Sequence, residues 1–206
     1  MPVERTAARR AFEEIKARIR DGRLPVRSHI DVEALAEDLA LSSMPVRQAL
    51  AILVWEGLVK AGQRSGYEVS LWSEAELAYL YEWRGVLFAL ALPNSADGAE
   101  LQRATRILPY PESMFAVMRL IEASANPELR RAGANADERL YLARKAEIEV
   151  LGDVQGELQT LIDALAHRSK RTSVLLKAHT RRRVQSVRLL RQHVVLRALP
   201  NNGAPG

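Results

Sequence analysis

The feature that most constrains this chain is a close run of three helix-patterned segments, followed at once by two strand-like runs around a glycine-bounded turn. Over Thr6–Asp21, Phe12, Ile15 and Ile19 recur at the spacing of one helix face, and Gly22 with Leu24-Pro25 ends the pattern. Asp31 is a suitable N-cap for a second short helix, whose face carries Leu35, Ala36 and Leu39 before a turn at Ala40 to Ser42. Ser42 or Ser43 caps a third helix with Pro45 in its first turn, where a backbone N–H has no intrahelical partner and its loss costs nothing. Val46, Ala49, Leu50, Leu53 and Val54 give that helix a continuous apolar stripe, and Gly57 is the expected left-handed stop. Leu58–Ala61 and Tyr67–Ser70 then read as strands around Gly62-Gln63-Arg64-Ser65-Gly66.

A helix, a short turn, a second helix and a hairpin in this order are the layout of a helix-turn-helix with a wing. In such a unit the N-terminal turn of the third helix offers backbone N–H groups to phosphate, while its first exposed side chains reach base edges. Those side chains are Ser42, Ser43, Met44, Arg47 and Gln48, with Arg64 and Gly66 at the wing tip. A three-helix bundle that binds nothing would show the same periodicity.

From Leu24 to Val69 the chain resembles the winged helix-turn-helix of the GntR family of bacterial transcription regulators. The resemblance rests on Leu35-Ala36, Leu39, Ser42, Pro45-Val46-Arg47, Ala49-Leu50, Leu53, Glu56-Gly57-Leu58-Val59, Gly66 and Val69. It implies a double-stranded DNA operator as partner, a homodimer, and a repressor that answers a small organic-acid effector. Two positions depart from the family pattern: Ser43 stands where an arginine usually follows the serine that opens helix three, and Glu33 where many members carry an arginine.

Beyond Leu71 the pattern is helical throughout. Ser73 with Glu76 forms a capping box for a helix expected to end at Pro93, and Pro109, Pro111, Asn126-Pro127, Gly133 and Gly152 punctuate the rest. Leu77, Leu80-Tyr81, Trp83-Arg84 and Leu87 resemble the first helix of the all-helical FCD effector domain, with Phe88 where a Glu is usual. That subgroup commonly holds a metal with an Asp, a His four residues later and two further His. Asp137 with Tyr141 occupies the place of the first pair, and His193 that of a later ligand. With two of four ligands replaced or missing, no metal and no other cofactor is expected; Asp163 with His167 is a rival pair that leaves too little chain behind it. An effector pocket would use Arg84 for a carboxylate, with Asp137, Tyr141 and His193 in its wall.

The fold class expected is mainly α: a winged helix-turn-helix over residues 1–70, a helical effector-binding and dimerisation bundle over 71–199, and a tail over 200–206. The formal charge of +5 is unevenly spread, with net +1 over residues 1–70, −6 over 71–166 and +10 over 167–206, where no acid occurs. The basic end suits an anionic partner or the acidic middle of the chain itself. Between Thr172 and Leu199 its cations alternate with Leu175, Leu176, Val184, Val187, Leu190 and Val194, the pattern of a packed helix, with Arg181 and Arg182 read as exposed.

With no cysteine, a disulfide framework, a thiol nucleophile and Cys-based zinc sites are excluded. The phosphate-binding, dinucleotide-binding and zinc-protease motifs are absent as well, so a non-enzyme is expected, soluble and cytoplasmic, with no membrane partner. The alternative is a helical interaction protein with a weakened DNA-binding domain.

Overall fold

The computed structural model describes residues 2–62, 66–92 and 98–199. The chain divides into two compact units, one of residues up to Leu71 together with those from Val194 on, the other spanning Trp72–His193.

In the first unit, α1 (Pro2–Asp21), α2 (Val32–Asp38) and α3 (Ser43–Trp55) are followed by β2 (Val59–Ala61) and β3 (Tyr67–Val69), with β1 (His29–Ile30) preceding α2. The three strands form one antiparallel sheet in the order β1-β3-β2, with Val59 opposite Val69 and Ile30 opposite Tyr67. β1 has no counterpart among the strands expected from sequence, because two residues are too short to show alternation. Helix α1 packs on α3, and its buried face is Ala11, Ile15 and Ile19 rather than Phe12, which stays half-exposed. The small Ala11 lets the backbones approach where a phenyl ring would hold them apart. Opposite, Val46, Ala49, Leu50 and Leu53 are fully buried.

The helix ends and turns of this unit differ in how well their residues suit the local geometry. Asp31 accepts from the N–H groups of Glu33 and Ala34, which caps α2. Gly57, after α3, has φ +78°, the left-handed conformation that glycine adopts without steric cost. Ala40 takes a similar conformation in the turn between α2 and α3, at φ +51°, where a Cβ costs roughly 1–2 kcal/mol.

The second unit is helical: α4 (Glu74–Ala91), α5 (Gly98–Ile107), α6 (Glu112–Glu122), α7 (Pro127–Leu151), α8 (Val154–Ala166) and α9 (Thr172–Gln185). Helix α10 (Val187–Ala198) begins in this unit. Ser73 and Glu76 make the expected reciprocal capping box, and Asn126 caps α7 by accepting from the Leu129 N–H. Helix α4 is central, packing against α9, α7 and α6. Phe88, Leu101, Met114, Val117, Ile121, Leu158 and Ile162 form the core of the unit, which is why an aromatic rather than a carboxylate suits position 88.

Gly133 does not break a helix, as its composition suggested; it lies inside the 25-residue α7. A Cβ there would overlap the carboxylate of Glu122, so the missing side chain is what lets that acid lie against the helix.

Candidate nucleic-acid interface

Helix α3 presents an exposed N-terminal turn because its apolar stripe starts only at Pro45 and Val46. Ser42 is the N-cap residue by backbone conformation, yet its side chain makes no capping hydrogen bond. The hydroxyl is left on the exposed surface. Met44 is 61% exposed, and Gln48 and Arg47 are exposed as well. Ser43, Arg47 and Glu33 are drawn together: Ser43 Oγ donates to Glu33 Oε2 at 2.5 Å, and an Arg47 N–H donates to Glu33 Oε1 at 2.9 Å. These two hydrogen bonds hold the Glu33 carboxyl below the usual carboxylate range.

At the wing, Gly66 accepts from the Gly62 N–H at 2.8 Å, and a Cβ on it would sit 2.6 Å from the His29 ring. A side chain at Gly66 would thus displace the exposed His29 ring of β1. Arg64, the other wing residue expected to reach DNA, lies outside the described residues.

The residues expected to line an effector pocket are arranged differently from an open cleft. Arg84 and Asp137 come together, but as a buried bidentate ion pair, with Arg84 Nε and Nη2 donating to the two Asp137 oxygens at 2.8 and 3.0 Å. The remaining arm of Arg84 donates to Glu122 at 2.6 Å. Tyr141 stacks on Phe115 with ring centroids 5.6 Å apart. His193 stands on α10, its buried Nε2 without a hydrogen-bond partner among the described residues. The cavity beside Arg84, also lined by Tyr81, Phe88, Arg144, His179 and Arg183, measures about 10 Å³, room for a single water.

What sequence reasoning missed is the buried polar cluster around Glu147, a residue with no exposed surface. Tyr81 Oη donates to it at 2.6 Å, Tyr110 Oη donates to it closely, and Arg183 Nε donates at 2.8 Å. Burial alone would raise the carboxyl pKa, but Arg183 and Arg144 hold it below the ordinary value. A second arm of Arg183 reaches Glu157 at 2.7 Å, and Arg182 donates to the same acid at 2.6 Å. The basic α9 therefore packs on acids of α7 and α8. Arg182 is part of that contact, not a freely solvated cation as expected. The rival metal pair is also engaged elsewhere: Asp163 accepts from Gln102 and Gln159, and His167 Nδ1 lies 2.7 Å from the Asp163 backbone carbonyl. Among the described residues no three His, Asp or Glu gather as a metal site would require.

His179 sits in this cluster with Nδ1 2.9 Å from Glu157 Oε1. Burial and the nearby Arg183 guanidinium push its pKa down to about 4, while Glu157, despite burial, is lowered to about 2 by His179 and Arg183. A depressed histidine pKa means that its stabilising effect is complete above about 6.5 and is lost as the pH falls towards 4. Glu157 loses its own stabilising effect in the next window, from the ordinary carboxylate value down to about 2. Lowering the pH from 7 to 5 should cost about 2 kcal/mol through His179. Thermal melts at the two pH values check this, with His179→Asn expected to flatten the dependence; a wild-type melting temperature unchanged at pH 5 would contradict it.

Comparison with known proteins supports the reading of the first unit. Residues 7–69 match the family described as bacterial regulatory proteins, gntR family. The uncharacterized HTH-type transcriptional regulator YdhC of Bacillus subtilis (strain 168) is 27% identical over 94 residues. The match takes in 46% of this chain and spans 42% of that relative's length. Among solved structures, a putative transcriptional regulator GntR from Rhodococcus sp. RHA1 superposes with a TM-score of 0.78 at 16% identity, over 88% of this chain and 97% of that one. McbR/YncC of E. coli gives 0.62 at 19% identity, over 90% and 97%. These likenesses bear out a winged helix-turn-helix followed by a helical unit. None of the described helices is long and apolar enough to cross a membrane. The matched family is described as regulatory proteins and the Rhodococcus neighbour as a transcriptional regulator. The likeness to the gntR family of bacterial regulatory proteins thus lies in residues 7–69, the helices and strands of the first unit.

Proposed function

We propose that this chain is a sequence-specific DNA-binding transcriptional regulator that acts as a dimeric repressor. The observation that carries the reading is the exposed first turn of α3, with Ser42, Met44, Arg47 and Gln48 projecting from a domain of the gntR family. Backbone N–H groups at that helix end suit a phosphate, Arg47 suits guanine or a phosphate, Gln48 suits adenine, and Met44 suits a thymine methyl.

One recognition helix covers a single half-site, so a second copy is needed to span an operator with half-sites roughly 34 Å apart. Helix α4 supports such pairing. Tyr79, Trp83, Val86 and Leu90 fall at helical spacing on one face and are 48–67% exposed, an apolar stripe that a second copy of the same stripe would cover. An organic-acid effector would have to displace Asp137 or Glu122 from Arg84, since the space beside it holds only a water; loss of operator binding on titration with short-chain carboxylic acids tests that step.

Selection of bound duplexes from a random pool, followed by anisotropy titration, tests the function directly. Arg47→Ala should weaken the selected site by roughly 1–3 kcal/mol without changing the fold, because the side chain is exposed and leaves no cavity. Equal affinity of wild type and variant would remove Arg47 from the interface. Sedimentation of the complex should give two protomers per duplex, and one would refute the dimer. A wild type that enriches no sequence would favour the helical interaction protein instead.

A further inference from the structure

An acid at the rim of a DNA-reading surface is unfavourable unless it has a specific task, because every phosphate repels it. Glu33 is such an acid. It projects from the first turn of α2 with 67% of its side chain exposed, beside the exposed turn of α3. Its two oxygens divide their work: Oε1 takes an Arg47 N–H and Oε2 takes the Ser43 hydroxyl. We propose that Glu33 is a specificity-determining residue that, together with Arg47, reads a G·C base pair and suppresses binding to other DNA. This rests on the DNA-binding reading above.

The donor and acceptor arithmetic supports the pairing. A carboxylate has about four lone-pair sites, of which the two hydrogen bonds use two, so Glu33 can still accept from an amino group. In the major groove cytosine presents an N4 amino donor and no acceptor, the match for a carboxylate. Arg47 spends one N–H on Glu33. The rest of its five-donor fork remains for guanine O6 and N7. A guanidinium tied to a neighbouring carboxylate is held in one pose, so less side-chain freedom is lost when it meets the base. The same pairing offsets the charge with which Arg47 would otherwise attract any phosphate, and it engages the Ser43 hydroxyl as well. The cluster thus lowers sequence-independent attraction while leaving hydrogen-bonding capacity directed at one base pair.

The test compares full-length wild type, Glu33→Gln and Glu33→Asp on the duplex selected by the wild type, on that duplex with each G·C pair replaced in turn by A·T, and on a poly(dA-dT) duplex, at two salt concentrations. Gln keeps the shape but loses the charge, while Asp keeps the charge but cannot span to Arg47 and Ser43 together. Glu33→Gln should bind poly(dA-dT) several-fold more tightly, with a salt slope steeper by about one unit as Arg47 is released to phosphate. Its preference for the selected duplex should fall at least about fivefold, with the loss concentrated at one G·C position. Glu33→Asp should lose the same preference. Circular dichroism should be unchanged for both, as the residue is exposed.

The proposal is overturned if Glu33→Gln retains the wild-type preference at every position, or gains affinity equally on all duplexes, which would make Glu33 only a source of repulsion. A wild type that selects no duplex overturns the DNA-binding reading itself, and this assignment with it, an outcome distinct from both.

Discussion

Glu147→Ala should destabilise the second unit by about 3–5 kcal/mol, the cost of breaking a buried ion pair by removing one partner. The acid has no exposed surface and accepts from Tyr81, Tyr110 and Arg183. Arg144 and Arg183 are themselves buried, and truncation would leave both facing a void with less negative charge near them. The loss therefore combines uncompensated charge, two phenols without an acceptor, and a cavity. Glu147→Gln should cost less, because the amide oxygen still accepts from one of the three donors. Glu82→Ala, on an exposed face of α4, should change stability by no more than about 0.5 kcal/mol. Urea unfolding followed by far-ultraviolet circular dichroism ranks the three. A Glu147→Ala transition coinciding with that of Glu82→Ala would mean that the cluster is solvated in solution and holds nothing together.

The sequence made the first unit readable because its signals are local. Asp31, Pro45, Gly57 and the stripe from Val46 to Leu53 each act within a turn or two of chain, and each appears in its expected role. The exposed turn at Ser42, Met44, Arg47 and Gln48 was legible for the same reason: a helix whose apolar stripe starts late must present its first turn to solvent. The Glu33 contact was not, since it joins residues 14 positions apart across a chain reversal. Nothing in the local pattern tells whether a glutamate near a helix start faces a solvated phosphate or a neighbouring guanidinium.

The second unit was legible as helices but not as a site. Its buried acids and arginines look like ordinary surface residues in a pattern that counts them as polar, and only the meeting of α4, α7 and α9 reveals that Arg84, Glu147 and Arg183 are interior. Arg84 and Asp137 suit a ligand when taken from the sequence alone, whereas in the structure they pair with each other. Gly133 misled in the opposite direction, because a glycine inside a helix reads as a stop unless the long-range approach of Glu122 is known.

Removal of the chain from Thr172 onward should abolish folding of the second unit. Without α9, helix α4 loses a principal packing partner, and Leu176, His179 and Arg183 are withdrawn from the interior. Glu147 and Glu157 would then lose the arginine they share, so apolar exposure and uncompensated buried charge act together. The alternation of cations with Leu175, Leu176 and Val184 along α9 has its reason in this packing. One side meets the core and the acids of α7 and α8, while Arg181 faces solvent. Charge replacement should consequently divide two neighbouring arginines. Arg181→Gln should be nearly neutral, whereas Arg182→Gln should cost about 1 kcal/mol, a charged hydrogen-bond contribution reduced by partial exposure. Limited proteolysis and circular dichroism of the truncated chain, beside melts of the two glutamine variants, decide the matter. A truncated protein that keeps its helical signal and resists protease, and differs only in weaker DNA binding, would show that the basic segment is a nucleic-acid tail. The expected result is rapid cleavage throughout residues 72–171, with both arginine variants still folded.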